Sequence, residues 1–223
     1  MITSELITTE IETRYVVGSA DVADAERLAQ LLLELYQSEC AHLVPENIEA
    51  FRELLRRTLT VNPAGLRETF VVRDTHESNR IVASVVASTS RNPRRSPLTR
   101  THATNTVRRL GARTAARVLW TQLQLANLLC ASLPHRTTQL HSLIIDPAHR
   151  GQYLGAQLVQ AVEDHAIQNG DEHILLYILA GNEVQRFYQK LGYTQRELPG
   201  RHQIYYPGIA MTRSLSFHAA SEA

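Results

Sequence analysis

The chain has 223 residues, 43% of them apolar and 20% charged, with a formal net charge of +1. That length suffices for one domain with a substantial core, and the composition is that of a soluble globular protein. No apolar run approaches the roughly 18 residues that span a membrane, and Cys40 and Cys130 are too few for a disulfide framework. The start, Met1-Ile2-Thr3-Ser4-Glu5, has no basic region ahead of an apolar core. A secretory leader and a membrane association are therefore not expected, and a cytoplasmic protein with two partly buried thiols is.

The charge is unevenly placed. Residues 78–145 hold ten arginines and no Asp or Glu, while the remainder holds thirteen basic and twenty-two acidic residues. Lys190 is the one lysine in the chain. Arginine suits planar contacts to phosphate and carboxylate; a GC-rich coding bias would produce the same usage with no function attached.

In chain order, Arg14–Gly18 reads as a first strand. Asp21–Ser38 reads as an amphipathic helix, with Val22, Ala25, Leu28, Ala29, Leu32, Leu35 and Tyr36 on one face. Pro45 is expected to open a second helix with Ile48, Phe51, Leu54 and Leu55 as its stripe. Thr69–Arg73 and Arg80–Ser90 read as two strands joined by the polar turn Asp74–Asn79. Arg91–Asn105, with two Pro and four Arg, has no periodicity and reads as a loop. Val107–Cys130 returns to helical spacing: Ala112, Ala116, Leu119, Leu123, Ala126 and Cys130 form a narrow apolar seam, with Arg109, Arg113 and Arg117 beside it.

Leu140–Gly155 is the most informative stretch. It reads as a buried strand, a break at Asp146-Pro147, a short loop rich in Arg and Gly, and a helix whose stripe is Ala156, Leu158, Val159, Val162 and Ala166. A loop at a helix N-terminus turns unpaired N–H groups toward one point, and the helix dipole adds to the attraction for phosphate there. Arg150-Gly151-Gln152-Tyr153-Leu154-Gly155 resembles the Arg/Gln-x-x-Gly-x-Gly/Ala signature of the GNAT N-acetyltransferases, with Tyr153 standing where the signature has its middle glycine. A second segment, Asn182-Glu183-Val184-Gln185-Arg186-Phe187-Tyr188-Gln189-Lys190-Leu191-Gly192-Tyr193, is similar to the helix and turn that close that family's CoA site. Gly192 falls where a helix C-terminus favours a residue tolerant of left-handed φ. The resemblance covers residues 137–213; the first 90 residues fit the family in element order.

The resemblance implies one α/β domain over 1–223: a mixed, mostly antiparallel sheet with helices on both faces. Residues 91–135 would then be an insertion of a loop plus a long helix, and 214–223 a disordered tail. It implies acetyl-CoA as co-substrate, held by Arg150, Gly151, Gln152, Tyr153, Leu154, Gly155 and Ala156 at the pyrophosphate. Backbone groups of Ile144 and Ile145, together with Asn182 and Tyr188, would hold the pantetheine arm and thioester. The first helix pair would line the acceptor side, making Tyr36, Glu39 and His42 substrate contacts; the alternative for these is a solvated helix end. The insertion could serve as a wall of the acceptor pocket, as a homodimer or partner surface, or as a basic surface for RNA.

Acetyl transfer to an amine needs a base for the amine, a donor to the oxyanion and a proton for the leaving thiolate. His141 is the natural base, since histidine titrates near neutrality. On its strand it alternates with Leu143 and Ile145, opposite Ser142 and Ile144. Gln139-Leu140-His141-Ser142-Leu143 resembles the paired-histidine strand of the arylalkylamine N-acetyltransferases, with Gln139 at the first histidine position. Tyr188 matches the tyrosine that serves as acid in many family members. The alternatives are a histidine hydrogen-bonded within the sheet and a tyrosine packed against it. None of the histidines has metal-ligand spacing, and no metal is expected. The resulting expectation is direct acetylation of an amine, a small molecule first and a protein- or RNA-linked amine second. The competing one is a non-catalytic acyl-CoA-binding module acting through its basic insertion.

Overall fold

The computed structural model describes residues 14–39, 44–61, 63–89, 104, 106–108, 110–116, 118–119, 133–179, 184–196 and 208–215. Seven strands form one sheet in the order β1-β2-β3-β4-β5-β7-β6. They are β1 (Tyr15–Ser19), β2 (Thr69–Asp74), β3 (Arg80–Thr89), β4 (Thr137–Ile145), β5 (His173–Leu179), β6 (Thr194–Arg196) and β7 (Gly208–Ser214). The β4–β5 ladder is parallel; β1–β2, β2–β3, β5–β7 and β6–β7 are antiparallel. The sheet is therefore mixed and mostly antiparallel. Five helices have defined bounds: α1 (Ala25–Glu39), α2 (Ile48–Thr60), α3 (Pro63–Arg67), α4 (Leu154–Gln168) and α5 (Val184–Lys190). The described residues between 104 and 119 are also helical.

The helix starts follow local capping chemistry. Asp21 accepts from Ala23 N–H while Asp24 accepts from Asp21 N–H, a reciprocal cap that opens the turn leading into α1. The second helix starts at Ile48 and not at Pro45, because the Asn47 side chain accepts from Ala50 N–H and fixes the boundary there. The turn after β2 holds Ser78 and Asn79 at φ 55° and 59°, left-handed values that let β3 fold back on β2.

The chain divides into two compact units. The first comprises Met1–Val86, Pro97–Thr121 and Ser142–Ala161. One apolar cluster in it joins Leu28 and Leu31 of α1 to Leu66, Val71, Ile81 and Ile144. A second joins Ala29 and Leu33 to Phe51, Leu54, Leu55 and Val118. Among the described residues of 104–119 the buried positions are Thr106, Ala115 and Val118, with Leu110 packed alongside, whereas Ala112 and Ala116 of the expected seam are exposed. The larger Val118 and Leu110 bury more apolar area than the alanines, so they select the face. Positions 120–132, where the seam was expected to continue, and the 216–223 tail lie outside the described residues.

The second unit comprises Ala87–Ser96, Gln122–His141 and Val162–Ala223. It buries Val162, Ala166, Ile174, Leu176, Tyr193 and Met211. Its polar interior is paired in two places. Thr138 donates to Asp171 Oδ2 at 2.6 Å. Glu163 accepts from Tyr193 O–H at 3.0 Å and from Arg213 Nη1 at 2.8 and 3.0 Å.

Candidate active site

Beyond Ile145 the chain turns on Asp146. Its backbone N–H donates to Val82 O, and one side-chain oxygen accepts from Ala148 N–H at 3.1 Å. The other oxygen accepts from Arg27 and Arg80. Burial pushes the Asp146 carboxyl up, but the Ala148 amide and Arg27 outweigh it and hold the group below the usual carboxylate range. The short turn Pro147–His149 follows, and then Arg150 in an extended conformation. Gly151 takes φ 79° and Tyr153 φ 58°, after which α4 begins. The Tyr153 carbonyl accepts from Ala156 and Gln157 N–H, the first bonds of that helix.

None of the described hydrogen bonds uses the amides of Gly151, Gln152, Tyr153, Leu154 or Gly155 as donor. Gly151 to Tyr153 are exposed, while Leu154 and Gly155 are buried under the loop. Five successive amides free of partners thus run into the start of a 15-residue helix, a place where backbone donors attract anions.

The middle position of the loop requires positive φ, and a tyrosine occupies it. Its side chain is 80% exposed, so no packing offsets the backbone cost. A side chain in the left-handed region costs roughly 1–2 kcal/mol. Tyr153→Gly is therefore expected to raise the melting temperature and to leave CoA affinity unchanged or higher. Thermal melts and calorimetric CoA titration check this; a fall in both would show that the ring itself holds the loop.

His141 lies on β4, buried, with Nε2 3.2 Å from Ser88 Oγ on β3. Sequence alone gave no sign of Ser88. The strict alternation expected along β4 breaks at Ser142, whose φ of 53° puts a left-handed residue inside the strand. The parallel ladder with β5 runs from Thr137↔His173 to Leu140↔Leu176 and stops there, although β4 continues to Ile145 and β5 to Leu179. Ile144 is buried in the first unit's core and Ile145 is half-buried. Gln139 is fully buried with neither end of its amide hydrogen-bonded.

Tyr188 is 4% exposed on α5, edge-on to Phe187 and Tyr193 at ring separations of 5.0 and 5.5 Å. Its orientation follows from how α5 ends. Tyr193 N–H donates to Tyr188 O and Gly192 N–H to Gln189 O, each at 3.0 Å, with Gly192 at φ 86°. This is a Schellman cap, and the Tyr188–Tyr193 contact is the apolar pair that accompanies it. A Cβ on Gly192 would meet Arg213 Nε at 3.8 Å, an ordinary contact, so the left-handed φ and not a lack of room demands glycine. The Tyr193 hydroxyl is engaged by Glu163, and burial together with that carboxylate pushes its pKa far up. Tyr193 therefore holds its proton.

Tyr36 of α1 packs half-buried and edge-on against Phe51 of α2 at 5.8 Å. Glu39 is the last residue of α1, and its side chain lies outside the described set. His42 and Asn182 also lie outside the described residues.

The fold also collects residues that spacing did not connect. Asp74, Glu77 and His149 bring one ligand atom each to within 4.8 Å of one another. Asp74 Oδ2, which faces the imidazole, already accepts from Arg14 Nη2 at 2.7 Å. The carboxylates of Asp74, Glu77 and Asp146 are balanced by Arg14, Arg27 and Arg80. A divalent ion would add charge to a cluster already neutral.

Sheet order and the amide-lined loop together define an acetyltransferase-type α/β fold. The chain belongs to the acetyltransferase (GNAT) family, whose family model matches residues 26–193. It is an acetyl-CoA-dependent N-acetyltransferase. Among solved structures it is similar to a GNAT-family acetyltransferase from Staphylococcus aureus Mu50, at 13% identity and TM-score 0.55, covering 91% of this chain and 99% of that one. It is also similar to the PaiA N-acetyltransferase from Thermoplasma acidophilum in complex with coenzyme A, at 14% identity and TM-score 0.56, covering 90% and 98%. An agmatine N-acetyltransferase is similar at 23% identity and TM-score 0.54, covering 91% and 100%. No curated protein matches the sequence. No helix among the described residues is long and apolar enough to cross a membrane.

Proposed function

We propose that this acetyltransferase transfers the acetyl group of acetyl-CoA directly to a small-molecule amine, with His141 as base and Tyr188 as acid. The observation that carries the reading is the run of five unpaired amides from Gly151 to Gly155 at the head of α4. Those amides and Arg150 would hold the pyrophosphate, and Asn182 with the backbone of Ile144 and Ile145 the pantetheine arm. The small-amine acceptor draws support from the agmatine N-acetyltransferase among the structural neighbours. The same reading takes the enzyme to be cytoplasmic.

In the proposed chemistry the acceptor ammonium gives a proton to His141, and the amine nitrogen attacks the thioester carbonyl. Ser88 Oγ, 3.2 Å from Nε2, helps to orient the imidazole ring. The tetrahedral oxyanion collapses, the C–S bond breaks, and the thiolate takes the Tyr188 hydroxyl proton; the second proton of the attacking nitrogen restores the Tyr188 hydroxyl, and His141 gives its proton to solvent. The products are the N-acetyl amine and CoA, with no covalent enzyme intermediate.

The test is release of free CoA thiol from acetyl-CoA with agmatine, linear polyamines, aromatic amines and peptide N-termini as acceptors. Saturable release with a small amine is expected. Release with peptide or aminoacyl-RNA acceptors alone would move the substrate class to a macromolecule.

A further inference from the structure

We propose that His149 is a positioning residue that pins the start of the Gly151–Gly155 amide run to the β2–β3 turn. This rests on the reading of that run as the pyrophosphate cradle. The loop has little internal bonding to hold its shape. On the N-terminal side the short turn is held by His149 N–H to Asp146 O at 2.8 Å, but the bond at Arg150 itself, from its N–H to Pro147 O, is 3.4 Å long. Two of its residues, Gly151 and Tyr153, take left-handed φ, and five amides are left without partners. Free donors that point together repel one another, so such a cradle keeps its shape through its ends. The C-terminal end is held by α4, with Leu154 and Leu158 buried. The N-terminal end is held by Asp146 and by His149.

His149 is 5% exposed, an unusual burial for the residue next to an exposed loop. Its Nε2 sits 3.4 Å from Asp74 Oδ2 and 3.3 Å from Glu77 Oε1, and its ring meets Tyr15 edge-on at 6.3 Å. The Nδ1 atom is buried without a hydrogen bond, 4.0 Å from Asp146 Oδ1. The Nε2–H tautomer fits these surroundings, with one donor between two carboxylates. The far side of the contact is rigid. Asp74 has no exposed side chain and accepts from Arg14 Nε and Nη2 and from His76 N–H. Glu77 is steadied by Arg80 at 3.3 Å. The imidazole thus ties the residue before Arg150 to the end of β2. Amides set in place before the anion arrives cost less to order on binding, so the pin should appear in cofactor affinity and not in the chemical step.

The experiment uses the full-length protein with CoA as the calorimetric probe, and acetyl-CoA kinetics with an acceptor from the amine panel. His149→Phe keeps a ring and removes both nitrogens; His149→Gln restores an N–H donor close to the Nε2 position. His149→Phe is expected to weaken CoA binding roughly tenfold, the low end for a hydrogen bond to a charged group. The KM for acetyl-CoA should rise in step with kcat unchanged, and His149→Gln should recover most of the loss. Should His149→Phe fold poorly, Glu77→Gln, at an exposed partner, should give a smaller rise in the same KM.

CoA binding by His149→Phe equal to wild type would overturn the proposal. So would a fall in kcat with KM unchanged, or equal losses in the Phe and Gln variants that merely follow their melting temperatures. Wild-type protein that fails to bind CoA would instead overturn the cradle reading beneath it. A zinc-dependent rise in melting temperature at one equivalent, lost in Glu77→Gln, would replace the pin by a metal site.

Discussion

Tyr188→Phe is expected to lower turnover by about 10²–10⁴-fold, the usual cost of losing a general acid. CoA affinity should hardly change. The substitution removes one oxygen from a side chain whose ring is fixed between Phe187 and Tyr193 and by the Schellman cap at Gly192. The ring should stay in place, so an effect on kcat can be read as lost chemistry. The measurement is kcat for acetyl-CoA at saturating acceptor, with CoA affinity by calorimetry beside it. Unchanged turnover in an assay limited by chemistry would reassign Tyr188 to packing.

Arg213→Met is expected to destabilise the protein by about 3 kcal/mol, at the low end of the range for leaving one member of a buried ion pair uncompensated. The Glu163 side chain is 4% exposed and that of Arg213 37% exposed, so water can partly replace the lost guanidinium. For a chain of this size the melting temperature should fall by roughly 2–4 °C per kcal/mol. The double variant Glu163→Met, Arg213→Met should be more stable than Arg213→Met alone, since apolar replacement of a whole pair is often neutral. Its remaining cost is the Tyr193 hydroxyl, left without its acceptor. Thermal melts of the wild type, both single variants and the double variant give the coupling directly. An Arg213→Met protein as stable as wild type would mean that the Arg213–Glu163 pair contributes nothing to stability.

What the sequence made legible was local. The strand, the Asp146-Pro147 break and the loop into α4 are written within sixteen consecutive residues, and each part has its own backbone signal. Gly192 was legible for the same reason, because a Schellman cap is contained in six residues. The tyrosine at the glycine position of the 150–155 signature was legible, but that this position takes positive φ is seen only in the structure. The misjudged features depended on competition or on distant partners. Asn47 won the helix start from Pro45 through a side-chain bond that spacing does not rank. The left-handed Ser142 leaves no mark in a run of β-forming residues. His149 was set aside because its partners Asp74 and Glu77 lie about seventy residues earlier, and only the β2–β3 turn brings them together. Glu163 reads as a polar position on a helix, and nothing local says that Tyr193 and Arg213 will close over it.

The cap at the end of α5 makes the proposed proton donor and the charged centre of its unit parts of one object. Tyr193 gives its backbone N–H to Tyr188 and its hydroxyl to Glu163, which Arg213 also holds. Loosening that carboxylate would therefore tilt the Tyr188 ring before the sheet itself gives way. On warming, activity should be lost ahead of bulk unfolding, with the helix end melting first and the strands still ordered. A patient comparison of activity with circular dichroism across temperature would then show two curves, with the catalytic one failing at the lower temperature. A substitution selected for heat tolerance would have the most to gain around Glu163, some distance along the chain from any residue that touches substrate.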